Sequence, residues 1–166
     1  AKLPHTKKLL RHGMVLGSDG RKMAKTLGNI VSPFEQAEKY SAEIVRFYLL
    51  AGISTFADGA YKEDDLVNMY NARLANNYGN LLNRVIHLAN AKEVNINDEQ
   101  NVEKNFKQKV DEYKNEIEKT YEEFEIFLAL EKVDKLADWG NKYITEKEPW
   151  SKDISKEKCQ TILNNL

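Results

Sequence analysis

Apolar residues recur at spacings of three and four through most of the chain after residue 32, a period that predicts helices. From Glu63 onward, Val67, Tyr70, Leu74, Tyr78, Leu81, Val85 and Leu88 make one stripe. That stripe predicts an amphipathic helix of roughly seven turns. Glu63, Asp64 and Asp65 fall in its first turn, where carboxylates favour the positive end of the helix dipole. The segment AKEVNINDEQN (residues 91–101) interrupts the pattern. A second run carries Val102, Phe106, Val110, Tyr113, Ile117, Tyr121 and Phe124, and a third carries Ile126, Leu130, Val133, Ala137 and Ile144. No Gly or Pro separates these two runs, so we place the break near Thr120–Phe124, with Thr120 and Glu123 as a capping box. Pro149 ends the third helix, and SKEKCQTILNNL starts another. Helices of this length joined by modest loops predict an antiparallel bundle.

Two shorter helices precede the bundle. Ser32 reads as an N-cap, Pro33 as the first helical residue and Glu35 as the returning carboxylate. Ser41 is expected to cap AEIVRFYLLAG, which ends at Gly52. Residues 1–31 lack any helical period: Met14–Leu16 suggests a short strand, followed by a turn at Gly17–Gly20 and a basic loop. No complete supersecondary unit is present there to bury that strand, so the chain reads as a C-terminal piece of a larger protein. The fold class expected is all-α, an antiparallel helix bundle preceded by a strand and loop remnant. Its expected parts are 1–31, connecting helices over 32–58, and the bundle over 59–166.

A chain of 166 residues with 42% hydrophobic residues can bury a core of its own. Its charged residues, 31% of the total, sum to a formal net charge of -1, so overall charge gives no argument for a nucleic-acid partner and only local patches can. Cys159 is the single cysteine, which excludes a disulfide framework and a cysteine-based zinc site. His5, His12 and His87 are too far apart to form a local ligand pair, and no metal site is expected. The absence of a signal-like or membrane-length apolar run argues for no membrane partner and a reducing cytoplasm.

The chemistry concentrates in GSDGRKMAKTLGN, residues 17–29. Lys22 and Lys25 on a glycine-flanked loop can reach an anion such as a triphosphate, each as a mobile point charge. The spacing is not that of a Walker A loop. By itself a lysine-rich loop is ordinarily just a solvated surface.

Its context adds more. Lys22-Met23-Ala24-Lys25-Thr26, followed by Leu27-Gly28-Asn29, Pro33, Tyr40, Arg46, Tyr48 and Leu49, resembles the Lys-Met-Ser-Lys-Ser signature of class I aminoacyl-tRNA synthetases. The resemblance implies that the loop closes over ATP, with its Mg2+, during amino-acid activation. Lys25 would stabilise charge developing on the phosphates, assisted by Lys22, as a preorganised cation rather than an acid or base. Met23 and Thr26 would complete the ATP-binding stretch. Ala24 and Thr26 stand where the family has serines; Thr26 keeps a hydroxyl and Ala24 loses one.

NARLANNYGNLLNRVIHLAN is similar to the first helix of the anticodon-binding domain of methionyl-tRNA synthetases, and NKYITEKEPW to a later element of that domain. Asn76, Asn80, Arg84 and His87 are spaced to share a face away from the apolar stripe. Asn and Arg side chains hydrogen-bond the edges of unstacked bases, and a Trp offers a stacking platform. The resemblance implies that Asn80, Arg84 and Trp150 read the CAU anticodon of a methionine tRNA. Apart from it, a polar stripe is ordinarily a solvated face and a Trp after Pro a plug between helices. Trp139 is expected in the core, His87 on the surface, and Tyr70, Tyr78, Tyr113 and Tyr121 in core packing.

The family's His-Ile-Gly-His stretch has no counterpart in the sequence. The methionine pocket and the nucleotide-binding sheet would lie upstream, so a methionine-tRNA ligase is implied for the parent protein. The chain alone would bind no cofactor and would reach methionine and ATP only through that missing catalytic domain. Two alternatives remain open here. One is a non-catalytic tRNA-binding or protein-interaction helical module. The other is a leucyl- or valyl-type synthetase, which the loop fits but Pro149-Trp150 does not.

Overall fold

The apolar stretch at Met14–Leu16 has a partner that the hydrophobic pattern hides. In the computed structural model, which describes residues 5–96 and 102–166, strand β1 (Val15–Leu16) pairs in parallel with β2 (Gly59–Ala60). The backbone N–H groups of Gly59 and Tyr61 donate to the carbonyls of Met14 and Leu16 at 3.0 and 2.9 Å, and that of Gly13 donates to Thr55 at 3.0 Å. Parallel neighbours need a crossover. Here it is built by α1 (Pro33–Tyr40) and α2 (Ala42–Ala51). A Cβ on Gly13 would sit 2.1 Å from the Ala57 carbonyl oxygen, so the close approach of the two segments requires glycine.

Between strands and helices lies a small core of Val45, Tyr48, Tyr61 and Leu66, with Met23, Val31 and Tyr40 packed around it. Tyr48 and Tyr61 meet edge to face, 5.3 Å between centroids at 88°. The Ser32 hydroxyl accepts the Glu35 N–H at 3.4 Å, and Pro33 opens α1. Ser41 does not act as the expected cap: its backbone has φ 73° and its side chain makes no cap hydrogen bond to α2. Its hydroxyl bonds the Glu43 carboxylate in the first turn of α2 instead of a backbone N–H; the backbone hydrogen bond at Glu43, and then this one, lower the Glu43 pKa.

The long helix is continuous but not uniform. It runs as α3 (Glu63–Met69), a π-wound segment (Tyr70–Gly79) and α4 (Asn80–Lys92). π winding bonds each N–H to the carbonyl five residues back, so positions there rotate away from the 3.6-residue stripe. Tyr70, expected on the buried stripe, is 40% exposed, while Leu66 is buried. The residues 91–101 that interrupt the pattern fall partly outside the described residues.

Helices α5 (Lys104–Glu122), α6 (Ile126–Lys147) and α7 (Lys156–Asn164) complete the chain. The turn between α5 and α6 lies where the pattern predicts it, but by a different device. Phe124 adopts φ 65° there, and the Thr120 hydroxyl donates to the Glu116 carbonyl at 2.7 Å instead of capping α6. Tyr121 is 62% exposed and Phe124 39%, so both leave the expected stripe as α5 ends.

Directions follow from the contacts. Phe106 meets Tyr143 while Glu116 meets Lys132, so α5 runs antiparallel to α6. Asn77–Asp138, Asn80–Asn141 and Arg84–Thr145 are each 61 residues apart, so the long helix runs parallel to α6. The long helix, α5 and α6 thus alternate in direction, and the long helix lies beside α6. Leu88, Ala89, Val94, Ile144, Cys159 and Leu163 form the bundle's centre. Beside it, Phe106, Tyr143 and Ile162 pack with Val110 and Trp139. Trp139 stacks 4.3 Å from Phe106 and serves the core as expected. No helix among the described residues is long and apolar enough to cross a membrane.

Candidate functional site

The basic loop leaves β1 and is drawn together by polar side chains rather than by burial. Gly20 donates its N–H to the Gly17 carbonyl and Gly17 donates to Arg21, making a tight double turn. The Asp19 carboxylate accepts the Arg21 backbone N–H at 3.0 Å, the Arg21 guanidinium at 2.8 Å and the Asn29 amide at 3.1 Å. Those bonds, the Arg21 backbone N–H first, hold its pKa down at about 2. Asn29 also accepts the Ala24 N–H at 2.9 Å. Between these anchors Lys25–Leu27 forms one 3-10 turn that ends at Gly28, φ 64°.

Of the residues singled out in this loop, Lys22, Lys25 and Thr26 are exposed, and neither lysine makes an ion pair among the described residues. Met23 points the other way and packs against the small core below. The loop therefore presents cations outward on a backbone held by a half-buried thioether and a polar clasp.

The second constellation lies between the long helix and α6. An open groove of about 770 Å³ runs between them. Asp134 accepts from Arg73 at 3.0 Å and from the Tyr78 hydroxyl. Burial, and then the hydrogen bond to Asp134, raises the Tyr78 pKa. One step along, Asn77 donates to Asp138 at 2.7 Å, and Asn141 donates to the Asn77 side chain at 2.8 Å. Asn80 donates to Asn141 at 3.4 Å. Arg84 donates to the Thr145 hydroxyl at 3.1 Å, and that hydroxyl donates to the Asn141 carbonyl at 2.8 Å.

At the groove's end the Arg84 guanidinium lies 5.4 Å from the centroid of the Trp150 ring, within cation–π range. Trp150 is 45% exposed, set there by the fully buried Pro149 and by the left-handed Glu148 that ends α6. A pocket of about 230 Å³ is bounded by Asn83, Arg84, His87, Leu88 and Trp150. The structure thus brings Asn80, Arg84 and Trp150 onto one continuous polar surface with an aromatic end. Asn76 lines the same groove, and His87 is exposed at the small pocket. Periodicity alone missed the residues on α6, because only tertiary alignment shows which of its polar positions face the long helix.

Residues 1–86 match the family described as tRNA synthetases class I (M). The chain belongs to that family. It is 35% identical to a methionine–tRNA ligase of Caldanaerobacter subterraneus subsp. tengcongensis, over 99% of this chain and 27% of that protein. Against the corresponding ligase of Lactococcus lactis the identity is 36%, over 99% of this chain and 26% of that protein. Its fold is similar to that of Mycobacterium tuberculosis methionyl-tRNA synthetase solved with methionyl-adenylate, with TM-score 0.79 and 26% identity over 93% of this chain and 32% of that chain. The chain spans about a quarter of the length of the ligases it matches.

Proposed function

We propose that this chain is the part of a methionine–tRNA ligase that reads the CAU anticodon of methionine tRNA and carries the loop that steadies ATP during methionyl-adenylate formation. The observation that carries the reading is the Arg84 guanidinium over the Trp150 ring, at cation–π distance and beside Asn80, in a chain of the class I synthetase family. A splayed base can replace the guanidinium on the Trp150 ring, or extend its stack. Arg84 and Asn80 then offer donors to the base edge, and the amide of Asn80 also an acceptor. The bundle over 59–166 is the anticodon-binding unit in this reading, 32–58 connect it, and 1–31 close the catalytic domain.

In the loop, Lys25 with Lys22 would neutralise charge that develops on the ATP phosphates as pyrophosphate leaves. Thr26 would add a hydroxyl donor and Met23 would anchor the span. Two exposed ammonium groups suit this because phosphoryl oxygens spread their charge and ask for point cations rather than for a base. Methionine, ATP with Mg2+ and the tRNA are the substrates of the whole protein, at work in the cytoplasm. The chain by itself is expected to give no methionine-dependent pyrophosphate exchange. The names of its relatives favour the methionyl reading over a leucyl or valyl one.

The test is binding of a CAU anticodon stem-loop, with an altered-anticodon loop as control. Trp150→Ala is expected to weaken CAU binding by about 1–3 kcal/mol, the span typical of a base stacked on an aromatic ring. Equal binding of both loops, or indifference to Trp150→Ala, would overturn the anticodon reading.

A further inference from the structure

The loop over residues 17–29 is closed by two side chains that the lysine chemistry does not use. The Ala24 N–H can only donate and the Asp19 carboxylate can only accept. Asn29 must therefore turn its oxygen to Ala24, at 2.9 Å, and its amide nitrogen to Asp19, at 3.1 Å. The same nitrogen lies 3.4 Å from the Lys22 carbonyl. Asp19 is engaged from the other side by the Arg21 backbone and guanidinium, at 3.0 and 2.8 Å. Gly17 makes room: a Cβ there would stand 2.9 Å from the Asn29 nitrogen and 3.0 Å from an Asp19 oxygen. Lys22 and Lys25 both lie on the span that this clasp encloses.

We infer that Asp19 and Asn29 are positioning residues, a clasp that holds residues 17–29 in one shape and so presents Lys22 and Lys25 together to a polyphosphate. The inference rests on the ATP reading of the loop given above. A flexible lysine loses ordering entropy on each phosphate contact, whereas a loop shaped in advance loses less. Because both ends of the span are joined to each other, the loop approaches its ligand as a unit, with Met23 as its tether to the core.

The clasp makes a specific demand on which residue donates. Asn29→Asp would set two carboxylates against each other while keeping an acceptor for Ala24. Asp19→Ala removes the same bond from the other side, together with the bonds to Arg21. The experiment is ATP–pyrophosphate exchange by the full-length protein, with KM for ATP and for methionine measured separately. N29D is expected to raise KM for ATP by about tenfold, as loss of ground-state phosphate contacts does. KM for methionine and stem-loop binding should not move. The double variant D19A/N29D should raise KM for ATP no more than about threefold beyond D19A alone, because the bond that N29D breaks is already gone, a coupling typical of directly bonded pairs.

A defect in folding alone would lower the active fraction and leave KM for ATP unchanged. An unmoved KM for ATP in N29D, or effects of D19A and N29D that simply multiply in the double variant, would overturn the clasp; stem-loop binding, which every variant should keep, shows that each is folded. Lys25→Ala separates the two layers. If it leaves ATP dependence untouched, the phosphate role falls and the clasp's purpose with it. If it impairs ATP use while N29D does not, the clasp alone is wrong.

Discussion

The basic loop and the groove between the long helix and α6 are both polar surfaces, yet they are held in opposite ways. In the loop the bonds are local: Asp19 reaches Arg21 two residues on and Asn29 ten residues on. In the groove they join residues 61 apart, repeated turn after turn along two helices. A loop stitched to itself can move as a piece over a rigid base, which suits a group that must close on a nucleotide. A face ruled onto paired helices keeps its side chains at fixed spacing, which suits reading a short run of bases. Damage to the bundle should cost the groove its stability, and damage to the loop should cost far less.

The largest effect is expected from the bundle's centre. Leu163 is fully buried beside Leu88 and Ile144, and Leu163→Ala should cost about 3 kcal/mol through lost burial and the cavity left behind. Urea unfolding measures it, and Lys25→Ala, on the exposed loop, should stay within about 0.5 kcal/mol of the parent. A loop variant that destabilised the bundle as much would break the contrast.

A sharper cut is available at Asp134, where one carboxylate serves both Arg73 and Tyr78. Its side chain is only 14% exposed, so Asp134→Ala strands a half-buried guanidinium and a hydroxyl. The expected cost is about 2–3 kcal/mol. Tyr78→Phe removes a single hydrogen bond and leaves the Arg73–Asp134 pair intact, for about 1 kcal/mol. Equal costs for the two would mean that the ion pair contributes nothing and that the hydroxyl alone holds the helices in register.

The same contrast explains what the sequence discloses. On α5, Phe106, Val110, Tyr113 and Ile117 keep the α period and all turn inward. Where the winding changes, the period misleads: Tyr70 stands at the start of the π segment and swings outward. Strand β2 is two residues, Gly59–Ala60, too short and too small-sided to make any pattern. Thr120 and Glu123 have the spacing of a cap, but the helix start they would serve lies beyond Phe124, so the hydroxyl bonds back into α5 instead. Residue type and order single out Lys22, Lys25, Asn80, Arg84 and Trp150 as candidates. The partners that hold them, Asn29 in the loop and Asn141 and Thr145 on α6, are not singled out. Which hydrogen bond an Asn or Thr makes is decided by what the fold brings within three ångströms of it.

The smallest effect concerns protons. The Asp19 carboxyl titrates at about 2, against an ordinary value of 3.8, because the Arg21 backbone, Asn29 and the guanidinium all favour its ionised form. A lowered folded-state pKa means that the clasp's contribution is present in full above the ordinary value, shrinks as pH falls below it, and is gone once pH passes the folded value. The loop should therefore keep its shape throughout the neutral range and loosen only between about pH 4 and pH 2. Nuclear magnetic resonance can follow the Asp19 carboxyl carbon, the Asn29 amide protons and the Ala24 N–H together. One shared midpoint near 2 is expected, since all three report the same bonded unit. A carboxyl midpoint near 3.8, with the Asn29 and Ala24 signals indifferent to it, would show the ends of the loop unjoined. The position of Lys22 and Lys25 would then have to be set by Met23 alone, and the loop would differ from the groove in having no polar framework of its own.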